Sequence, residues 1–156
     1  MKEDLVSELI EISEKKLSLL DEMLLLTKKQ RTVISQEKQG NLNEIIDKKD
    51  KIIDEIDKLD KIFILKFSRY KLENKVESID KIDVRDKPEL KNLKDVITKI
   101  TSTLMAISII DKENNLEIKD KLEDVKENLK KVKDGYRAYK GYNKKVKGSI
   151  LIDEKR

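Results

Sequence analysis

The sequence predicts an all-α protein: an elongated antiparallel bundle of three long helices, or four if the third stretch breaks, packed in the manner of a coiled coil. Three observations predict it. Apolar residues recur in alternating steps of three and four along three long stretches, the spacing that keeps one face of a helix on its neighbour. The 156 residues include only 4 Gly, 1 Pro and 4% aromatics, a profile that suits long helices and not sheets or tight turns. Charged residues make up 44% of the chain and hydrophobic ones 37%, so a core can form only if the apolar residues gather onto faces.

The first helix is predicted from Lys2 to Lys38. Its seam is Leu5, Leu9, Ile12, Lys16, Leu19, Met23, Leu26, Gln30 and Val33, beside a second row of Val6, Ile10, Leu17, Leu20, Leu24 and Ile34. Two adjacent rows make a face wider than a two-stranded coiled coil needs, so this helix is expected to touch two neighbours. Gly40 is read as its left-handed end. Asn41 then caps the second helix, with Glu44 completing a capping box. That helix is predicted from Leu42 to about Lys75, with the seam Leu42, Ile45, Lys49, Ile52, Ile56, Leu59, Phe63, Lys66 and Tyr70, flanked by Ile46, Ile53 and Phe67. A link this short predicts antiparallel packing of the pair.

Residues 78–86 read as a connector. Asp86, Pro88 and Glu89 then mark a helix start: a cap, an early proline and an acid in the first turn. The third seam runs Leu90, Leu93, Ile97, Ile100, Leu104, Ile107, meets Asp111 and Asn114, and resumes at Ile118, Leu122, Val125, Leu129, Val132, Tyr136 and Tyr139. An 11-residue insert of this kind locally unwinds a left-handed supercoil. With no Pro or Gly there, one continuous helix with a weak point is favoured over a break at Lys112 to Asn115. Gly135, Gly141 and Gly148 punctuate its end, and fraying is expected after about Tyr142. The domain reading is a helical bundle over 1–142 and a basic, partly flexible tail over 143–156, the latter containing the β-prone cluster Ile150 to Ile152.

Four polar residues interrupt the first two seams: Lys16, Gln30, Lys49 and Lys66. They read either as a bundle edge, with lysine stems over apolar neighbours and ammonium groups in water, or as a polar layer that sets register.

Little chemistry is open to the chain. It has no His and no Cys, which removes the commonest general base, the commonest metal ligand and any disulfide. The Glu-x-x-His motif of di-iron bundles is absent, as are a phosphate-binding loop, a nucleophile elbow and EF-hand spacing. Acid pairs such as Asp47 and Asp54, or Asp57 and Asp60, read as solvated surface charge. No enzyme activity, metal, cofactor or small-molecule substrate is expected. No apolar run approaches the roughly 20 residues that span a bilayer. The start, MKEDLVSELIEISEKK, has acids in its first turns and no small-residue cleavage site, unlike a signal peptide. A cytoplasmic location is expected.

Charge and apolar surface both point to the end of the third helix. From Lys126 to Lys147 nine basic residues face two acidic ones, although the whole chain carries only +4. This basic run includes Tyr136, Tyr139 and Tyr142. It could meet phosphates and stacked bases, an acidic lipid surface or a protein, or serve only as a solvated helix end whose lysines suit the C-terminal dipole. The third stretch also outruns the other two, so the row from Ile118 to Tyr139 is expected to lack neighbours. An apolar row without neighbours binds something, a second copy or a partner helix. Protein binding is therefore the leading reading. A structural or oligomerising coiled coil, and a nucleic-acid or membrane-surface binder acting through the tail, are the alternatives.

Several segments together resemble the FlgN-type flagellar export chaperones: LLDEMLLLTKKQRTVISQ in the first helix, QGNLNEIIDKKDKIIDEIDKLD across the first turn, IDKENNLEIKDKLEDVKENL in the third stretch, and the Gly- and Tyr-containing basic end KDGYRAYKGYNKK. The related FliT-type chaperones, which serve the filament-cap protein, are a near neighbour of this reading, and the sequence does not separate the two clients. The resemblance implies a cytoplasmic chaperone of the flagellar type III export system, without nucleotide hydrolysis. It implies clients among the hook–filament junction proteins FlgK and FlgL, held by their C-terminal helical regions and delivered to the export gate. Carried onto this chain, the client-binding stripe is Ile118, Leu122, Val125, Leu129, Val132 and Tyr136. Tyr139 and Tyr142 contribute to client or gate docking. The apolar SILID segment maps to no family role.

Overall fold

The computed structural model describes residues 2–36, 39–75, 77 and 88–150. They form three helices: α1, Lys2–Gln36; α2, Gln39–Asn74; and α3, Pro88–Ile150. No strand occurs among the described residues, and the chain is the all-α bundle that its periodicity requires. It divides into two compact units, Met1–Asn114 and Asn115–Arg156.

In the first unit α1 and α2 run antiparallel. Lys66 Nζ donates to Glu8 Oε2 at 2.7 Å, Lys16 Nζ to Asp60 Oδ1 at 2.7 Å, and Lys49 Nζ to Gln30 Oε1 at 2.9 Å. As the α1 partner rises from 8 to 30, the α2 partner falls from 66 to 49. The broad α1 face meets two neighbours as expected. At one end Leu5, Val6 and Leu9 of α1 pack with Tyr70 of α2 and with Leu90 and Leu93 of α3. Further along, Leu20, Met23 and Leu26 pack with Ile45 and Ile52 of α2 and with Ile100 and Ile107 of α3. Burying each such aliphatic side chain contributes about 1.5–3 kcal/mol. Phe67 stacks on Tyr70 with ring centroids 6.3 Å apart and meets Phe63 at 5.7 Å, so the two α2 aromatics that border Tyr70 seal that end.

One row of α1 exceeds the expectation. Val6, Ser13, Leu20, Thr27 and Ile34, each seven residues from the next, are all buried. Ser13 and Thr27 were outside the predicted rows because their type is polar. Thr27 satisfies its hydroxyl locally, donating to Met23 O at 2.8 Å. In α3, Leu104 departs the other way. It is exposed and lines an open apolar groove of about 410 Å³ with Ile53 and Ile107.

The polar interruptions of all three seams are not independent. Lys49 Nζ of α2 donates both to Gln30 of α1 and to Asp111 Oδ1 of α3, the latter at 2.8 Å. One turn further along, Asn114 Nδ2 donates to Thr27 O at 3.2 Å, and Arg31 of α1 pairs with Glu113 of α3. Gln30, Lys49, Asp111 and Asn114 are therefore one junction joining three helices. For Gln30 and Lys49 this is the register-setting layer rather than a bundle edge, because a helix shifted by one turn would part a mostly buried ammonium from its carboxylate. At Asp111 and Asn114 α3 runs unbroken, the continuous helix that the sequence favours, and Asn114 is fully buried.

Lys16 and Lys66 also reach acids on the facing helix, from more open positions. The hydrogen bond from Lys66, and then its charge, hold the Glu8 carboxyl below the ordinary carboxylate range. A depressed pKa favours the folded state above the unfolded-state pKa, and that contribution is lost as pH falls through the folded value. Replacing Lys66 with Met is expected to raise the Glu8 titration midpoint toward its ordinary value, read by carboxyl-carbon NMR across the acid range. An unmoved midpoint would mean that Lys66 does not hold Glu8 in solution.

The start of α2 differs from the sequence reading. Gly40 and Asn41 lie within the first turn of α2, which begins at Gln39, rather than forming the turn and cap before it. The first turn of a helix has no intrahelical acceptors for its N–H groups, so a glycine there costs less than in the interior. Glu37 and Lys38 lie outside the described residues. At the other end of α2, Lys75 takes the left-handed conformation usually left to glycine, with φ of 53°, and Asn74 Nδ2 closes the last turn on Tyr70 O at 2.9 Å. The connector 78–86, with Asp86, is outside the described residues. Pro88 opens α3 with Glu89 in its first turn, as the residues predict.

Candidate protein-binding surface

The second unit consists, among its described residues, of α3 from Asn115 to Ile150. Its composition explains why it is helical. Leu, Lys and Glu dominate from Leu116 to Lys133, with no run of β-branched residues, and these are strong helix formers. Glu117 and Lys121 add a pair four residues apart, at 4.0 Å. The helix continues past Tyr142 to Ile150, passing through Gly135 and Gly141. A Cβ at either glycine would meet nothing within 4 Å, so neither is needed for close packing, and each costs up to about 1 kcal/mol of helix propensity relative to alanine. Residues 151–156, with Leu151 and Ile152 of the apolar cluster, are outside the described residues.

The stripe lies along one side of this helix. Ile118 is half-buried. Leu122, Val125, Leu129, Val132, Tyr136, Tyr139 and Tyr142 are exposed, from 51% at Val125 to 70% at Tyr142. Alternating steps of four and three from Ile118 to Tyr139 keep successive side chains within one narrow band. Lys140 Nζ stands 5.3 Å from the centroid of the Tyr136 ring, a cation–π contact that orders an otherwise solvated tyrosine. Single exposed apolar residues are ordinary on protein surfaces. A file of them on one helix is a candidate docking surface.

Among the described residues no cluster of three or more acids is placed to hold a metal ion. No helix among them is long and apolar enough to cross a membrane. What the side chains here can do is bury apolar area against another amphipathic segment, the chemistry of a helical binding protein.

The comparison with known families agrees. A family model described as FlgN protein matches residues 1–148. The chain belongs to the FlgN family and is a flagellar export chaperone, a class that binds flagellar proteins rather than catalysing a reaction. No curated protein and no solved structure matches it.

Proposed function

We propose that the chain holds the hook–filament junction proteins FlgK and FlgL in the cytoplasm before export, by laying their C-terminal helical regions along the α3 stripe. The observation that carries this reading is the file of exposed apolar residues from Leu122 to Tyr142. Client helices destined to pack in an assembled filament are amphipathic. Free in the cell they would associate through their apolar faces, and docking in register on a second amphipathic helix buries those faces reversibly. Ile118, Leu122, Val125, Leu129, Val132 and Tyr136 form the contact. Tyr139 and Tyr142 extend it toward the client or the export gate. Residues 1–142 form the helical bundle domain that does this work, and 143–156 are its basic tail.

The test is calorimetric titration of the full chain with the purified C-terminal helical segment of a FlgK-like or FlgL-like protein from the same cell. Stoichiometric binding with a negative heat-capacity change, the mark of apolar burial, is the expected result. Absence of binding would overturn the reading. Concentration-dependent self-association through α3 would replace it with an oligomerising coiled coil.

A further inference from the structure

The borders of the stripe carry information that the stripe itself does not. Each of Ile118, Val125, Val132 and Tyr139 is followed by a lysine: Lys119, Lys126, Lys133 and Lys140. The spacing is seven residues throughout, so the four lysines form a second file along one edge of the apolar one. All four are exposed, and Lys119, Lys126 and Lys133 join no ion pair among the described residues. The other edge holds Lys121, Asn128, Gly135 and Tyr142. Neither edge has an acid. The acids of this helix, Asp120, Glu127 and Asp134 among them, all occupy positions further from the stripe.

Edge positions of a heptad seam choose the partner and its direction. Against an antiparallel copy of this helix the lysine edge would face itself. Against a parallel copy it would face Lys121, Asn128 and Gly135, none of which attracts it. A second copy therefore gains nothing at its borders. An anionic bilayer fits poorly too. An in-plane membrane helix presents a broad apolar face, whereas this stripe is a narrow seam with acids just behind its lysines. We infer that the stripe is built for an amphipathic partner helix with Asp or Glu along the edge of its apolar face, and that Lys119, Lys126, Lys133 and Lys140 set that specificity. The inference rests on the client-docking reading and adds to it the charge of the client.

The test uses the full chain and two synthetic four-heptad peptides with identical leucine cores. One carries Glu at every edge position, the other Lys. Fluorescence anisotropy at low salt is expected to show the Glu peptide binding at least about tenfold more tightly, since several modest pairs replace several repulsions, with the gap narrowing as salt rises. The variant Lys119→Glu/Lys126→Glu/Lys133→Glu is expected to prefer the Lys peptide. Equal binding of the two peptides, or an unchanged preference in the variant, would overturn the charge rule and leave the client-docking reading intact. Binding of neither peptide would remove both. Binding to phosphatidylglycerol vesicles in place of the peptides would assign the stripe to a membrane surface and overturn the inference.

Discussion

Replacing Leu9 with alanine is expected to lower the stability of the chain by about 2–5 kcal/mol, the range for buried leucines whose cavities do not collapse. Leu9 has no solvent exposure. It sits in the cluster that includes Tyr70 of α2 and Leu90 and Leu93 of α3, so the cavity would border all three helices. A wall made by three elements relaxes less readily than one made by a single flexible side chain. The loss is large beside the roughly 5–15 kcal/mol that holds a typical domain together. It is measurable as a lower urea midpoint at unchanged slope. Leu25 is the control: it is 60% exposed, and its change to alanine is expected to stay within about 0.5 kcal/mol. Equal effects at the two positions would mean that α1 does not present its Leu9 face to the bundle.

That contrast between two leucines of one helix shows what local sequence can reveal. The Leu and Ile seams were legible because a period of three and four is a property of the helix alone. Ser13 and Thr27 were not, since their burial follows from their position in a heptad row rather than from their type. Gln30, Lys49, Asp111 and Asn114 were visible one by one as interruptions. Their union was not, because it pairs residues as far apart as Lys49 and Asp111, and no local pattern states that two distant defects face each other. The junction is also incompletely satisfied: Asn114 Oδ1 is buried without a partner among the described residues. An orphaned acceptor of this kind costs about 1–3 kcal/mol. The arrangement thus trades stability for one register. Gly40 misled for a related reason. A glycine between two helical patterns signals a left-handed turn only if the chain turns at that residue, and here α2 has already begun. For the candidate site, the order of apolar residues from Ile118 to Tyr139 was legible. Their exposure was expected from the greater length of the third stretch, although Ile118 itself is half-buried.

Changing Leu122 and Leu129 together to aspartate is expected to weaken client binding by at least a hundredfold while leaving the helix in place. Each leucine would bury an apolar side chain in the complex, worth about 1.5–3 kcal/mol, and tenfold in affinity corresponds to about 1.4 kcal/mol. Two such losses already exceed a hundredfold. Each carboxylate would in addition be desolvated against the apolar face of the client. The unbound chain should tolerate the change, because Leu122 and Leu129 are 55% and 59% exposed. Aspartate is the poorer helix former by ~0.5 kcal/mol, but Lys126 and Lys133 stand four residues on, where a lysine stabilises a preceding acid on the same helix face. Circular dichroism and the urea midpoint are therefore expected to stay near those of the parent chain, and only the titration with client should change. Retained binding would move the client off this stripe. Loss of helix content would mean that these leucines support the fold, and the contrast with Leu9 would then fail on the side of function.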